Sequence, residues 1–494
     1  MSLLRVYNGV PFRTAEIEFI PQQLFKETVM EQLRGGLVIS GMFPLNRTER
    51  NKLIILLSDR DNSSFVIAGG IINGSEPELE SMSEEFPHAE YFECELAEKY
   101  GYKIKSHPGL RPVRDMNSKI DGKAYKFYRL EGESAHEVAV GPIHAGIIEP
   151  GHFRFQCHGE TVYNLEISLG YQKRGVDKML IDSNPVQRII LAESIAGDTV
   201  MGHAHAHCLA IEALAGINPC LRRQAVRVIA SELERIAMNI SGLLGISNDI
   251  GFAIVSSSYG RLRTLVINSL AELSGSRFGR GLFAYGGLRH DMNDDVIKVI
   301  KNNLETVKND IKEINRCLLT SSAAILRFEK TGMVLKKDAE EMALTGNAAR
   351  ASGLACDARV NYPYCGYRYM PVSMISIEGG DVFSRTRLRV LDIEESMKFV
   401  DNYIDSLPEA GTATETYYPA LQPGYGVVSV TEGFRGEIFH GAFTGEDSKL
   451  TQYYIKDPSF NNWQALSFVM QNTDIYDFPI CNKSFDLSYS GHDL

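Results

Sequence analysis

The stretch GPIHAGIIEPGHFRFQCHGETVYNLEISLGYQKRG, residues 141–175, decides how the rest of the chain is read. Apolar and polar residues alternate through 151–167, with a break at Gly159, which is the pattern of a β-hairpin with one buried face. The segment before it crowds Gly141, Pro142, Gly146, Pro150 and Gly151 around His144, Glu149 and His152. Glycines let a backbone approach a ligand closely, and imidazoles and carboxylates move protons, so this loop suits the wall of a pocket. A solvated surface turn is the other reading. Lys173 and Arg174 end the stretch either as an exposed cap or as positive charge placed beside a redox centre.

Upstream, residues 36–40, 51–57 and 64–72 are short β-rich runs, and residues 91–100 have helical character. Two prolines and a glycine in residues 106–114 mark a surface connection. Residues 115–137 form a polar linker with few apolar anchors, and the domain boundary is placed there. Downstream the chain turns helical. Pro219 precedes a stripe of Val226, Ile229, Leu233, Ile236, Ile240 and Leu244 at three- and four-residue spacing. A second helix is expected over residues 294–326, with Leu304, Val307, Ile311, Ile314 and Leu318 in near-heptad rhythm. Both stripes read as core packing, in a helical bundle with β-hairpins at its edges.

At 494 residues, 44% hydrophobic and 23% charged, the chain has the profile of a multi-domain globular protein. A net charge of −11 leaves no basic surplus for phosphates, so no nucleic-acid partner is expected. The apolar runs fall short of the ~20 residues that cross a bilayer. The N-terminus lacks the pattern of a signal peptide, which leads to an expectation of a cytoplasmic protein. Eight cysteines form no C-x-x-C pair and read as reduced, mostly buried thiols.

GHAHAHC, residues 202–208, carries three of the twelve histidines. On a helix His203 and His207 share a face and His205 points elsewhere. The i, i+4 spacing is that of many metal-binding helices. No glutamate lies inside it, however, so histidines lining a polar cleft are the favoured reading and a metal held with Asp198 the alternative.

Together these clusters resemble a known family. G-P-x-H, E-P-G-H-F-R-F and G-Y-x-x-R-G are similar to the opening of the large subunit of group 4, energy-converting nickel–iron hydrogenases, a series shared with the D-type subunit of complex I, the NADH-quinone oxidoreductase. ELERI (232–236), NDIG (248–251), RASG (350–353), DVFSR (381–385), DPSFNNW (457–463) and NKSFDLSYSG (482–491) follow in order. The HPGLRP run (107–112) resembles the end of the C-type subunit of complex I. The resemblance implies an α+β protein with two fused parts. A small α/β domain like the C-type subunit spans 1–125. A mainly α-helical domain with β-hairpins, like the hydrogenase large subunit and the D-type subunit, spans 126–494.

The hydrogenases of this family hold nickel and iron with four thiolates. Here the first pair falls on Ala196 and Thr199, and the second on Ser488 and Gly491. These residues cannot replace soft sulfur donors, so no nickel–iron site is expected. Hydrogenase precursors usually carry a clipped C-terminal extension, whereas only three residues follow Gly491 here.

By resemblance to complex I, the same space holds a quinone head group, with His207 in the place of a tyrosine that bonds it. Asp249 falls where an aspartate pairs with a hairpin histidine, for which His144 and His152 are the candidates. Glu149 resembles a proton-passing glutamate. His203, Arg174, Lys173 and Arg350 are the expected cofactor-side residues, Arg174 lying near the iron–sulfur cluster of a partner.

The function implied is electron transfer to a quinone or other small acceptor, coupled to ion translocation. The implied partners are an iron–sulfur small subunit similar to the B-type subunit of complex I and membrane ion-translocating subunits. The implied place is peripheral, on the cytoplasmic side of the cell membrane. The alternative is a non-catalytic coupling subunit with a vestigial cleft.

Overall fold

In the computed structural model, residues 3–74, 76–120, 122–144, 148–409 and 416–494 are described. The fold is α+β, as expected. Near the N-terminus, α1 (Gln22–Arg34) and α2 (Glu90–Tyr100) flank a sheet of β1 (Val38–Asn46), β2 (Glu49–Asp59) and β3 (Ser64–Ile71). These strands form an antiparallel meander, extended by Leu4–Val6 and by the parallel strand Phe19–Pro21.

The expected hairpin is present as β4 (Ala135–Val140), β5 (His152–His158) and β6 (Thr161–Ser168), in antiparallel register. Helix α3 (Pro185–Glu193) starts at a capping box of Asn184 and Gln187, with Pro185 at its first position, where a missing N–H costs nothing. Next come α4 (Val200–Ala215), α5 (Leu221–Asp249), α6 (Ala253–Ser274) and α7 (Asp294–Thr320). Val226, Ile229, Leu233, Ile236 and Ile240 of α5 are all fully buried, so its stripe is core. The helix expected over 294–326 stops earlier, because Ser321 adopts extended backbone and caps a separate short helix, Ser322–Phe328.

After α8 (Val382–Asp405), a second antiparallel sheet forms from β7 (Tyr425–Glu432), β8 (Glu437–Thr444) and β9 (Leu450–Lys456). Its strands are buried on both faces. Val427, Ala442, Tyr453 and Ile455 face the helical core, while Val428, Phe439, Phe443 and Tyr454 join the core of the N-terminal sheet. Period-two alternation thus feeds two cores from one sheet. Helix α4 lies on the first face, where Ser429 and Thr431 donate to the Ala206 and Gly202 carbonyls. The chain closes with α9 (Pro458–Val469), α10 (Phe478–Phe485) and α11 (Tyr489–Asp493).

Residues 106–114 depart from expectation. The far end is buried, not a surface loop: Arg114 pairs with Glu95, and its Nε donates to the His492 carbonyl at 2.6 Å. Gly170 (φ +94°) makes this possible, since a Cβ there would sit 1.8 Å from the Arg114 carbonyl oxygen. All eight cysteines are free, and six are buried. Among the described residues no helix is long and apolar enough to cross a membrane.

Candidate functional site

The four positions aligned with thiolate ligands lie on two segments brought together by the fold. Ala196 and Thr199 precede α4, and Ser488 and Gly491 belong to α11 and its cap. Beside these segments open two adjoining cavities of about 280 and 240 Å³, both lined by Glu149, Asp198, Lys483 and Asp486, with none of the four positions themselves in the lining. Arg435, from the β7–β8 turn, bridges the two segments. It pairs bidentately with Asp198 (2.7 Å on both arms), donates to the Thr199 hydroxyl at 3.3 Å, and donates to the Asp486 carbonyl.

Lys483 pairs with the Asp486 carboxylate at 2.9 Å. Burial opposes the charge on Asp486, but Lys483, Arg389 and Arg435 outweigh it and hold the carboxyl well below the usual range. Glu149 accepts from the Tyr489 amide at 3.2 Å. With Arg263, which also lines the larger cavity, the cleft is an array of three carboxylates and three cations.

Four thiolates are what a nickel–iron centre needs, and this donor set does not fit one. Gly491 makes the mismatch steric as well as chemical, since a Cβ there would lie 2.6 Å from Asp457 Oδ2. Cys481 does not substitute, because its sulfur is buried against Gly332 and Arg385.

The histidines of α4 do not line this cleft. His203, His205 and His207 are fully buried between α4, the second sheet and the helical core. His203 Nδ1 lies 3.1 Å from His440 Nε2, and its Nε2 lies 3.1 Å from Asp457. His207 sits between the hydroxyls of Tyr453 (2.8 Å) and Tyr285 (2.9 Å). His205 turns away, to Ser231 and the Cys365 sulfur. Burial and the charge of Arg188 push His207 down to about 3, so it stays neutral. The shared face expected for His203 and His207 is real, but Asp198 is committed to Arg435, and the three do not converge on a metal. Among the described residues no group of three or more His, Cys, Asp or Glu is arranged to hold one.

The remaining expected residues are dispersed. Asp249 is exposed at the end of α5, and its charged neighbours are Lys483 and Asp486, in place of a hairpin histidine. The reason is local: the Lys483 stem lies on Gly245, one turn before Asp249. His144 is partly buried and stacks on Phe153 at 6.0 Å between centroids, with neither ring nitrogen bonded among the described residues. His152 opens β5, partly buried and opposite Ser168. Residues 145–147 of this loop lie outside the described residues.

Arg174 caps the end of the α3 segment by donating to the Ser194 (2.7 Å) and Ile195 (3.0 Å) carbonyls. Lys173 is exposed, 3.6 Å from Glu98. Their loop is pinned by Asp493, which accepts from the Gly170 and Gln172 amides, and by the Leu494 oxygen, which accepts from the Arg174 and Gly175 amides. Arg350 is far from a ligand role. It is buried and paired bidentately with Asp392 at 2.8 and 2.7 Å.

The sequence reading missed Arg435, Lys483 and Asp486 in the cleft and Tyr285, His440, Tyr453 and Asp457 behind it. Lys483, Asp486 and Asp457 lie inside the family motifs and were within reach. His440 and Tyr453 are isolated in strands and carry no local signal.

Comparison with known proteins agrees with this architecture. Residues 249–424 match the family described as respiratory-chain NADH dehydrogenase, 49 Kd subunit. Formate hydrogenlyase subunit 5 of Escherichia coli is 25% identical, over 88% of this chain and 80% of that protein. Membrane-bound hydrogenase subunit alpha of Pyrococcus furiosus is 28% identical over 71% and 85%. The C/D subunit of the NADH-quinone oxidoreductase of Bacteroides thetaiotaomicron is 27% identical over 89% and 85%.

In fold, the chain matches a component of the membrane-bound sulfane sulfur reductase, an archaeal respiratory membrane complex. The TM-score is 0.67 at 20% identity, over 73% of this chain and 99% of that one. Residues 249–424 are thus similar to the 49 kDa subunit of complex I. The homologues of the chain are group 4 hydrogenase large subunits and fused NADH-quinone oxidoreductase C/D subunits, oxidoreductase components of membrane-bound respiratory complexes.

Proposed function

We propose that this chain is the large subunit of a membrane-associated respiratory oxidoreductase in which an open, charged cleft takes the place of a nickel–iron centre. An iron–sulfur small subunit similar to the B-type subunit of complex I delivers electrons to a quinone or other small acceptor in that cleft. Membrane ion-translocating subunits are coupled to the reaction, and the complex docks on the cytoplasmic face. The observation that carries this reading is the meeting of Asp198, Arg435, Lys483, Asp486 and Glu149 beside the two segments that carry the thiolate-aligned positions. Arg435 and Lys483 present fixed positive charge where an acceptor gains electrons, and Glu149 is placed to exchange a proton with it.

The test is to purify the intact complex and measure its metal content together with reduction of a panel of quinones. Quinone reduction without stoichiometric nickel is the expected result, with a loss on the order of 10²-fold in Glu149→Gln. Stoichiometric nickel, or full activity in Glu149→Gln and Asp198→Asn, overturns it. Full activity in those variants favours the second reading, a coupling subunit whose cleft does no chemistry.

A further inference from the structure

The contacts that hold the α4 histidines are joined end to end. Starting from the partly exposed Pro185, the Tyr285 hydroxyl donates to its carbonyl at 2.9 Å. Tyr285 meets His207 Nε2 at 2.9 Å, and His207 Nδ1 meets the Tyr453 hydroxyl at 2.8 Å. Tyr453 then meets His440 Nδ1 at 2.9 Å, His440 Nε2 meets His203 Nδ1 at 3.1 Å, and His203 Nε2 meets Asp457 at 3.1 Å. Five side chains, all nearly or fully buried, thus link Asp457 to a carbonyl at the start of α3.

Counting protons along this row shows that making every contact with Asp457 ionised takes one proton more than neutral side chains carry, and with His207 and His440 both held well below the ordinary imidazole value that proton falls on His203. A carbonyl only accepts, so Tyr285 spends its proton on Pro185 and must accept from a His207 Nε2–H. Neutral His207 then accepts at Nδ1 from Tyr453, which in turn accepts from a His440 Nδ1–H. His440 accepts at Nε2 from a His203 Nδ1–H. The last contact, from His203 Nε2 to a carboxylate, needs a second proton on His203. The row therefore holds one excess proton, at the His203–Asp457 end, and every donor beyond it points toward Pro185.

The surroundings agree. Burial raises the Asp457 carboxyl, but His203 and Arg435 hold it below the usual range. Burial and the neighbouring His203 hold His440 well below the ordinary imidazole value. Arg188 beside His207 and Tyr453, Glu212 beside Tyr285, and Lys456 and Arg435 beside Asp457 are the other charges facing the row, with the Cys208 thiol near Tyr285. His205 is just as buried, yet its contacts with Ser231 and Cys365 lead nowhere. Burial alone does not build the row.

We propose that this row is a proton wire between the cleft and the Pro185 end of α3. Its inner terminus, Asp457, is buried against Gly491 and beside Arg435, which lines the cleft. In one passage His203 Nδ1–H moves to His440 Nε2, and His440 Nδ1–H to the Tyr453 oxygen. The Tyr453 proton then moves to His207 Nδ1, His207 Nε2–H moves to Tyr285, and the Tyr285 proton leaves to solvent beside Pro185. The proton that enters is the one passed through Asp457 to His203 Nε2, one proton leaves from Tyr285, no electrons move, and His203, His440 and His207 end in their other tautomers. The use made of the wire rests on the proposed function; its existence does not.

Two measurements test it. The full chain, labelled with ¹⁵N at histidine, is expected to show His203 doubly protonated at neutral pH, His440 as the Nδ1–H tautomer and His207 as the Nε2–H tautomer. The reverse tautomers, or a neutral His203, overturn the proposal. In the intact complex, Tyr453→Phe cuts the wire while keeping its shape. Reduction of a water-soluble quinone is expected to fall on the order of 10²-fold with an altered solvent deuterium effect. Ser231→Ala, which changes only the neighbourhood of His205, is expected to leave both unmoved. An unchanged rate and deuterium effect in Tyr453→Phe overturn the wire. If the wild-type complex reduces no quinone, the proposed function fails, and the histidine spectra decide the wire alone.

Discussion

The cleft, made of carboxylates and cations, and the neighbouring row, made of histidines and tyrosines that end on an aspartate, use charge in opposite ways. In the cleft, one partner of each pair meets solvent, the Asp198 side chain being 37% and the Lys483 side chain 34% exposed, while Arg435 and Asp486 are held mostly buried behind them. In the row, water is excluded, so each polar atom needs a partner and charge survives only as the single His203–Asp457 pair. Exposure makes the first region adaptable, and burial makes the second directional.

The largest test of that contrast is Asp457→Ala, which leaves a buried imidazolium without its anion and also removes the cap of α9. A loss of roughly 3–5 kcal/mol is expected by chemical denaturation. A loss near zero would mean that the row carries no charge. Next is Gly491→Ala, whose new methyl meets Asp457 Oδ2. Overpacking of this kind costs about 1–3 kcal/mol, and wild-type stability in Gly491→Ala would show that the packing of Asp457 against Gly491 gives way easily.

Third is pH. Glu234, buried under the first turn of α4, accepts from the Met201 and Gly202 amides, and burial pushes it up to about 8. A carboxyl whose folded value is raised binds more protons in the folded state. Its contribution is therefore full below the ordinary glutamate range and is lost as pH rises toward 8. Urea titrations at pH 5 and pH 8 should differ by roughly 1–2 kcal/mol less in Glu234→Gln than in wild type. An unaltered difference would remove Glu234 from the account. Asp457 and Asp486 act in the other direction, with folded values depressed, and their contribution is lost only as pH falls below the ordinary aspartate range. The smallest effect is expected for Asp198→Ala. Its side chain is 37% exposed, so stability should fall by about 1 kcal/mol or less. A loss as large as that of Asp457→Ala would erase the distinction between the regions.

Much of the fold was legible from pattern. The hairpin around Gly159 and the stripe of α5 follow from periods of two and 3.6 residues, which local sequence carries directly. The site was less legible. Glu149 was found because it stands in a motif, whereas Arg350 stands in one too and proved to be half of a buried ion pair with Asp392. A motif records that a residue matters and does not say whether it binds a ligand or holds the core. Arg435 had no such signal, because its role arises only where the β7–β8 turn meets Asp198 and Asp486.

By itself the sequence determined the element types, the relation to hydrogenase and complex I large subunits, and the absence of cysteine at the four positions that the resemblance sets against sulfur ligands, since each depends on residue identity in a local order. Only the tertiary structure decided which face of α4 met which strand. His440, Tyr453 and Asp457 come from the second sheet and its end, more than two hundred residues away from α4. Their alignment with His203 and His207 follows from packing α4 on a sheet buried on both faces, where polar side chains have only one another as partners.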